Sequence, residues 1–159
     1  MPCALGRAGR KYRKREGDGA SPVGVWTLEQ GFFRGDRHLK PKTGIFFMPL
    51  REGWGWCETV GDRNYNRRVP IPYATAHEEL VRGDSLYDIV IETGHNKRPR
   101  VQGHGSAIFF HLARENYGPT AGCIAVSLKD MRKVLARCGG KTRLVIWPPS
   151  GVAPNVFRK

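Results

Sequence analysis

The chain has 159 residues, 40% of them apolar and 26% charged, which excludes a disordered tail and fits a single domain over residues 1–159. With 27 lysines and arginines against 14 acids the net charge is +13, which favours polyanionic partners (nucleic acid, an anionic membrane or an acidic wall polymer) without choosing among them. No apolar run approaches the about 20 residues that span a bilayer, so no membrane span is expected.

Arg7, Arg10, Lys11, Arg13, Lys14 and Arg15 crowd the N-terminus with no acid among them. Tyr12 is the only aromatic in that run, so residues 1–17 read as a solvated basic segment and not as a base-stacking arm. The same stretch lacks the apolar centre of a secretory signal, so action outside the cytoplasm would require an export segment that this chain does not display. Beyond it, glycine and proline punctuate short segments rich in β-branched and aromatic residues. Strands are expected at 23–28, 43–50, 86–93, 106–113, 123–126 and 142–147, the pattern of a mostly β, mostly antiparallel sheet or sandwich.

One helix is well specified. Ser127 caps its start with Asp130 three residues on, Leu128, Met131, Val134 and Leu135 recur at helical spacing, and Gly139-Gly140 ends it. A weaker helical stretch is expected around Ala76 to Arg82. Cys3, Cys57, Cys123 and Cys138 are far apart with no C-x-x-C, so no disulfide framework is expected. The five histidines form no metal-binding spacing, and neither a metal nor any other cofactor is expected.

The chemistry concentrates near the C-terminal end. His111 closes the apolar run Ile108-Phe109-Phe110-His111, and Cys123 follows twelve residues later in the turn Pro119-Thr120-Ala121-Gly122-Cys123. Sulfur attacks a carbonyl as thiolate, so a nucleophilic cysteine needs an imidazole or a positive dipole beside it. Gly122 permits a sharp turn and close substrate approach, and backbone N–H groups at Cys123 and its neighbours suit an oxyanion hole. The helix begun at Ser127 would add a positive dipole end. Cys123 is therefore expected to be the one thiol with thiolate character at neutral pH. Strand alternation places His111 and Phe109 on one face, opposite Phe110 and Leu112. The bland alternatives are a half-buried structural histidine and a buried, inert cysteine.

The segment from His111 to Val126 resembles the catalytic signature of bacterial L,D-transpeptidases of the YkuD type, a strand histidine followed by Ser/Thr-x-Gly-Cys. Thr120-Ala121-Gly122-Cys123 supplies the second half, and Ser21-Pro22-Val23-Gly24-Val25-Trp26 resembles the family's early T-P-x-G-x-[FW] segment. Together they bracket residues 18 to about 147. The resemblance implies a β-sandwich in which Cys123 attacks a peptidoglycan stem peptide, forms a thioester and passes the acyl group to an amine or to water, with His111 as base. It also implies a site in the bacterial cell envelope or periplasm. Ala121 and Ala125 stand where many members carry His and Arg or Asn, so substrate contacts are expected to differ. His104-Gly105 resembles a His-Gly pair of the family, which makes His104 a second candidate base or a residue of the cleft.

Within Asp62 to Arg68, Arg67 and Arg68 are candidates for gripping a substrate carboxylate, against a larger expectation of an exposed loop. His38, His77 and His95 are expected to be exposed. Two rival functions remain: a basic module binding nucleic acid or another polyanion, disfavoured by the dispersed charge and missing motifs, and a cysteine peptidase acting on ordinary L-peptides.

Overall fold

The computed structural model describes residues 1–150. In chain order its elements are β1 (Arg10–Lys11), β2 (Ser21–Pro22), β3 (Gly24–Phe33), β4 (Phe47–Pro49), β5 (Trp54–Cys57), β6 (Arg68–Pro70), β7 (His77–Glu79), β8 (Ile89–Thr93), β9 (Phe109–Leu112), β10 (Ile124–Val126), α1 (Leu128–Leu135) and β11 (Arg143–Ile146). The central sheet runs β10-β9-β8-β3-β11 with β4 added beside β3, and a smaller sheet runs β6-β5-β7.

Strict alternation along β8 and β9 divides the interior into two cores. Ile89, Ile91, Phe110 and Leu112 face one side, where Met131 and Leu135 of α1 cover them. Val90 and Phe109 face the other, where Trp56 of β5 packs edge-on against Phe109 with ring centroids 5.1 Å apart. Strand β8 is buried along its whole length, consistent with its run of branched apolar residues. In β3 the pairing with β8 slips between Leu28 and Gly31. That irregularity inverts the alternation, so Leu28 joins the helix-side core while Phe32 joins the other.

The helix starts as its sequence predicts: the Ser127 hydroxyl accepts the Asp130 amide at 3.1 Å, and Met131 and Leu135, one turn apart, are fully buried. It ends at Ala136, short of Gly139-Gly140.

Several expectations are corrected. The segment around Ala76 to Arg82 is not helical; His77–Glu79 forms β7 because β5 offers an edge and register pairs Trp56 with Glu78, and this tertiary pairing overrides a weak local propensity. The strand expected over 43–50 narrows to β4, and β3 runs on to Phe33. Trp54–Cys57 and Arg68–Pro70 are strands that their glycine, proline and arginine content concealed. The basic N-terminal segment is not a solvated arm: Ala4 exchanges backbone hydrogen bonds with Ala125, β1 pairs in parallel with β2, and Lys14 is only 6% exposed.

Gly31 sits where β3 meets β4, and a Cβ there would lie 2.3 Å from the Phe47 ring. Gly31→Ala is expected to lower stability by about 1–3 kcal/mol through overpacking, read as a reduced urea midpoint at unchanged slope.

Candidate active site

Strands β9 and β10 run parallel, with Ile124 opposite Phe110 and Ala125 opposite His111. Continuing that register one residue back brings Cys123 level with Phe109, so Cys123 and His111 are diagonal neighbours on one face. With strands about 4.8 Å apart and a rise of about 3.3 Å per residue, their Cα atoms are about 8 Å apart. Both side chains line a cleft of about 500 Å³. Thus the parallel register unites two residues that are twelve apart in sequence.

The turn before Cys123 is held from three directions. Gly122 has φ of 145°, and a Cβ on it would approach the Ala20 carbonyl to 2.9 Å, so only glycine fits without strain. Thr120 accepts the Gly122 amide through its hydroxyl at 3.1 Å and donates to the Cys123 carbonyl at 2.7 Å. The N-terminal segment clamps the outside: Arg7 N–H donates to the Thr120 carbonyl and Thr120 N–H to the Leu5 carbonyl, each at 2.9 Å.

Cys123 is buried, 8% exposed as a residue, with its thiol donating to the Ala107 carbonyl at 3.1 Å and accepting the Phe109 amide at 3.3 Å. Ala107 is positioned in turn by buried Asn66, whose side-chain oxygen accepts both the Ala107 amide and the Trp56 indole N–H. Burial, followed by the negative charge of Glu78, pushes the Cys123 pKa up to about 12. The expected thiolate character is therefore corrected: at neutral pH the resting thiol keeps its proton. Ser127 lies four residues beyond Cys123, about 13 Å along an extended strand, too far for the helix dipole to lower that pKa.

His111 Nδ1 lies 2.8 Å from the Leu112 carbonyl. A carbonyl only accepts, so Nδ1 carries the hydrogen and Nε2 is the basic nitrogen. Burial pulls the His111 pKa down to about 4, with the Leu112 and Leu86 carbonyls opposing that shift in part. Tyr87 packs edge-on against the imidazole at 5.2 Å and donates its hydroxyl to Glu78 at 2.6 Å. A neutral thiol and a neutral imidazole on one wall can exchange a proton when a carbonyl arrives, which is the chemistry of acyl transfer through sulfur.

A family model described as YkuD, L,D-transpeptidase catalytic domain, matches residues 1–146. The chain belongs to this family. Membership carries L,D-transpeptidase-type catalysis and peptidoglycan-related, extracytoplasmic action at the level of the family. No curated protein and no solved structure matches the chain. The match includes the basic N-terminal segment, in agreement with its packing against the cysteine turn.

Within this L,D-transpeptidase domain the structure brings together Cys123, His111, Gly122 and Thr120, all of which line the cleft. His104, Arg67 and Arg68 are exposed and do not line it; Arg68 stacks on Trp54 at 4.0 Å, with the smaller sheet. His95, expected to be exposed, is buried edge-on against Trp26, with Nε2 3.0 Å from the His104 carbonyl. The cations at the cleft are instead Arg7, Lys14, Arg82 and Arg114, opposed by Glu16, Glu58 and Glu78. Burial, then the charges of Glu78 and Glu16, raise the Glu58 pKa to about 7. Glu78, Tyr87 and Lys14 had no local signal: β7 is three polar residues, His77–Glu79, that become a strand only by pairing with β5. Among the described residues no group of three His, Cys, Asp or Glu could hold a metal, and no helix is long and apolar enough to cross a membrane.

His95 and His111 both have pKa values near 4 in the folded chain, against an ordinary 6.5. Between those values the unfolded chain binds protons that the folded chain does not, so these two groups make stability fall as pH drops from about 6.5 to about 4. Urea midpoints of His95→Asn and His111→Asn are expected to decline less over that window than those of the unsubstituted protein.

Proposed function

We propose that this chain performs cysteine-dependent acyl transfer on peptidoglycan stem peptides in the bacterial cell envelope, with residues 1–159 acting as one catalytic domain. The observation that carries the reading is the diagonal pairing of Cys123 with His111 on adjacent parallel strands at one cleft. His111 Nε2 takes the Cys123 proton as sulfur attacks the carbonyl of the stem's L,D peptide bond. The oxyanion is stabilised by backbone N–H groups at Cys123 and its neighbours, in a turn held rigid by Thr120. His111 returns the proton to the departing amine of the terminal D-alanine, leaving a thioester. An acceptor amine or water then attacks, giving up its proton through His111, and the thiol reforms.

In the resting cleft the S–H points to the Ala107 carbonyl, so attack requires rotation of the thiol toward the imidazole. Arg7, Arg82 and Arg114 at the rim suit the free carboxylates of such a peptide.

The test is intact mass after incubation with a carbapenem, an acylating agent that L,D-transpeptidases generally accept. One adduct is expected on the unsubstituted protein and none on Cys123→Ala. His111→Ala is expected to be acylated about 10²–10⁴-fold more slowly, with His104→Ala unaffected. Slowing confined to His104→Ala would move the base to that residue, and absence of any adduct would make Cys123 a buried core residue. Iodoacetamide is expected to label Cys123 slowly at pH 7 and faster as pH rises toward 12, since burial disfavours the thiolate.

A further inference from the structure

A second cavity, of about 450 Å³, lies against the opposite face of the central sheet. Ile89 lines it from the helix-side core, together with Leu135 and Ala136 at the end of α1, whereas the cleft holding Cys123 opens on the Phe109 side. Its floor is apolar and its rim is basic: Arg37, Lys40 and Lys42 come from the loop after β3, and Arg132 comes from α1. Asp88, which meets that rim, is buried and already engaged by Arg37 at 2.9 Å and by His38 at 3.0 Å. Asp36 pairs first with Arg34, at 2.6 Å. No carboxylate pairs with Lys40, Lys42 or Arg132 among the described residues.

Beside these cations Leu39 stands 92% exposed, between His38 and Lys40. An exposed leucine followed by Lys40 and Lys42 is costly facing water and favourable at a lipid surface, where the leucine enters the acyl boundary and the lysines meet headgroups. The cavity is lined by no Phe, Tyr or Trp on which a nucleic-acid base would stack, and its one aromatic ring, the His38 imidazole, is held against Asp88 at 3.0 Å. We propose that this cavity and the loop at Leu39 dock the domain on an anionic phospholipid membrane, with a headgroup phosphate held among Lys40, Lys42 and Arg132. The catalytic cleft, on the opposite face of the sheet, then remains open to a polymer on the far side from the membrane.

The experiment is co-sedimentation with phosphatidylcholine vesicles containing or lacking phosphatidylglycerol. Binding is expected only to the anionic vesicles. Lys40→Ala/Lys42→Ala is expected to weaken it about 30-fold, and Arg132→Ala about fivefold. Leu39→Ser is expected to weaken it about tenfold at unchanged charge. The control Arg13→Ala/Arg63→Ala removes two exposed charges that do not line this cavity; an equal loss in that variant would overturn the site in favour of unspecific attraction. Inorganic phosphate perturbing the cavity's amide resonances without vesicle binding would replace the lipid by a free anion. Oligonucleotide binding abolished by the same cavity variants, with no vesicle binding, would replace it by nucleic acid. Carbapenem acylation of Cys123 is expected to be unchanged in every variant, so failure of docking and failure of acyl transfer are read separately.

Discussion

The parallel ladder between Phe109–Leu112 and Ile124–Val126 is the constraint on which the site depends. Adjacent strands that follow each other within a dozen residues usually turn back as hairpins, and a parallel pair needs a crossover. Here the connection passes through Arg114 to Gly122 and ends in the Gly122 turn, where the N-terminal segment fills the outer edge by pairing Ala4 with Ala125. That edge pairing explains why the first residues cannot be a free arm. They occupy the exposed side of the sheet's last strand and fix the turn that orients Cys123.

Burial then sets the chemistry. A thiol that donates to Ala107 and accepts from Phe109 is held by backbone groups of one short segment, and that segment is aligned by the single side chain of Asn66. Asn66 reaches from the loop between β5 and β6, so the smaller sheet, through Trp56 and Asn66, braces the wall on which the Cys123 thiol rests. The two cores are thus unequal in composition: the helix-side core is wholly apolar packing, and the other contains the Cys123 thiol at the wall of the cleft.

What was legible in the sequence follows from how local each feature is. The capped helix, the apolar alternation around His111 and the Thr120 to Cys123 turn are encoded within a few residues, and each was readable. The face of His111 followed from period-two alternation alone. The residues that were not readable, Tyr87, Glu78, Lys14 and Arg7, reach the cleft from three separate segments, and only long-range pairing brings them there. Glu78 was doubly hidden, because three residues of β7 have a helix-like composition and become a strand only through the edge of β5. The arginines of Asp62 to Arg68 were read first as an exposed loop and only second as a carboxylate grip; Arg67 and Arg68 are exposed, beside a buried asparagine whose contact with the Ala107 backbone only tertiary packing creates.

The same reasoning explains why the thiol rests protonated. Charge on a group buried to this extent is opposed by lost hydration, and the cleft adds Glu78 and Glu58 to that opposition while Lys14 works against it. Lys14 is itself tied to Asp18 at 2.6 Å, which reduces its field at the sulfur. In the proposed acyl transfer, thiolate and imidazolium would therefore form at low cost only as a pair, each charge compensating the other across the diagonal of two strands. A ligand that excludes water from the cleft strengthens that mutual attraction, and one that neutralises the acidic wall removes part of what holds the thiol pKa high. On the proposed reading the nucleophile is generated by the arrival of its substrate and is guarded from adventitious electrophiles in its absence.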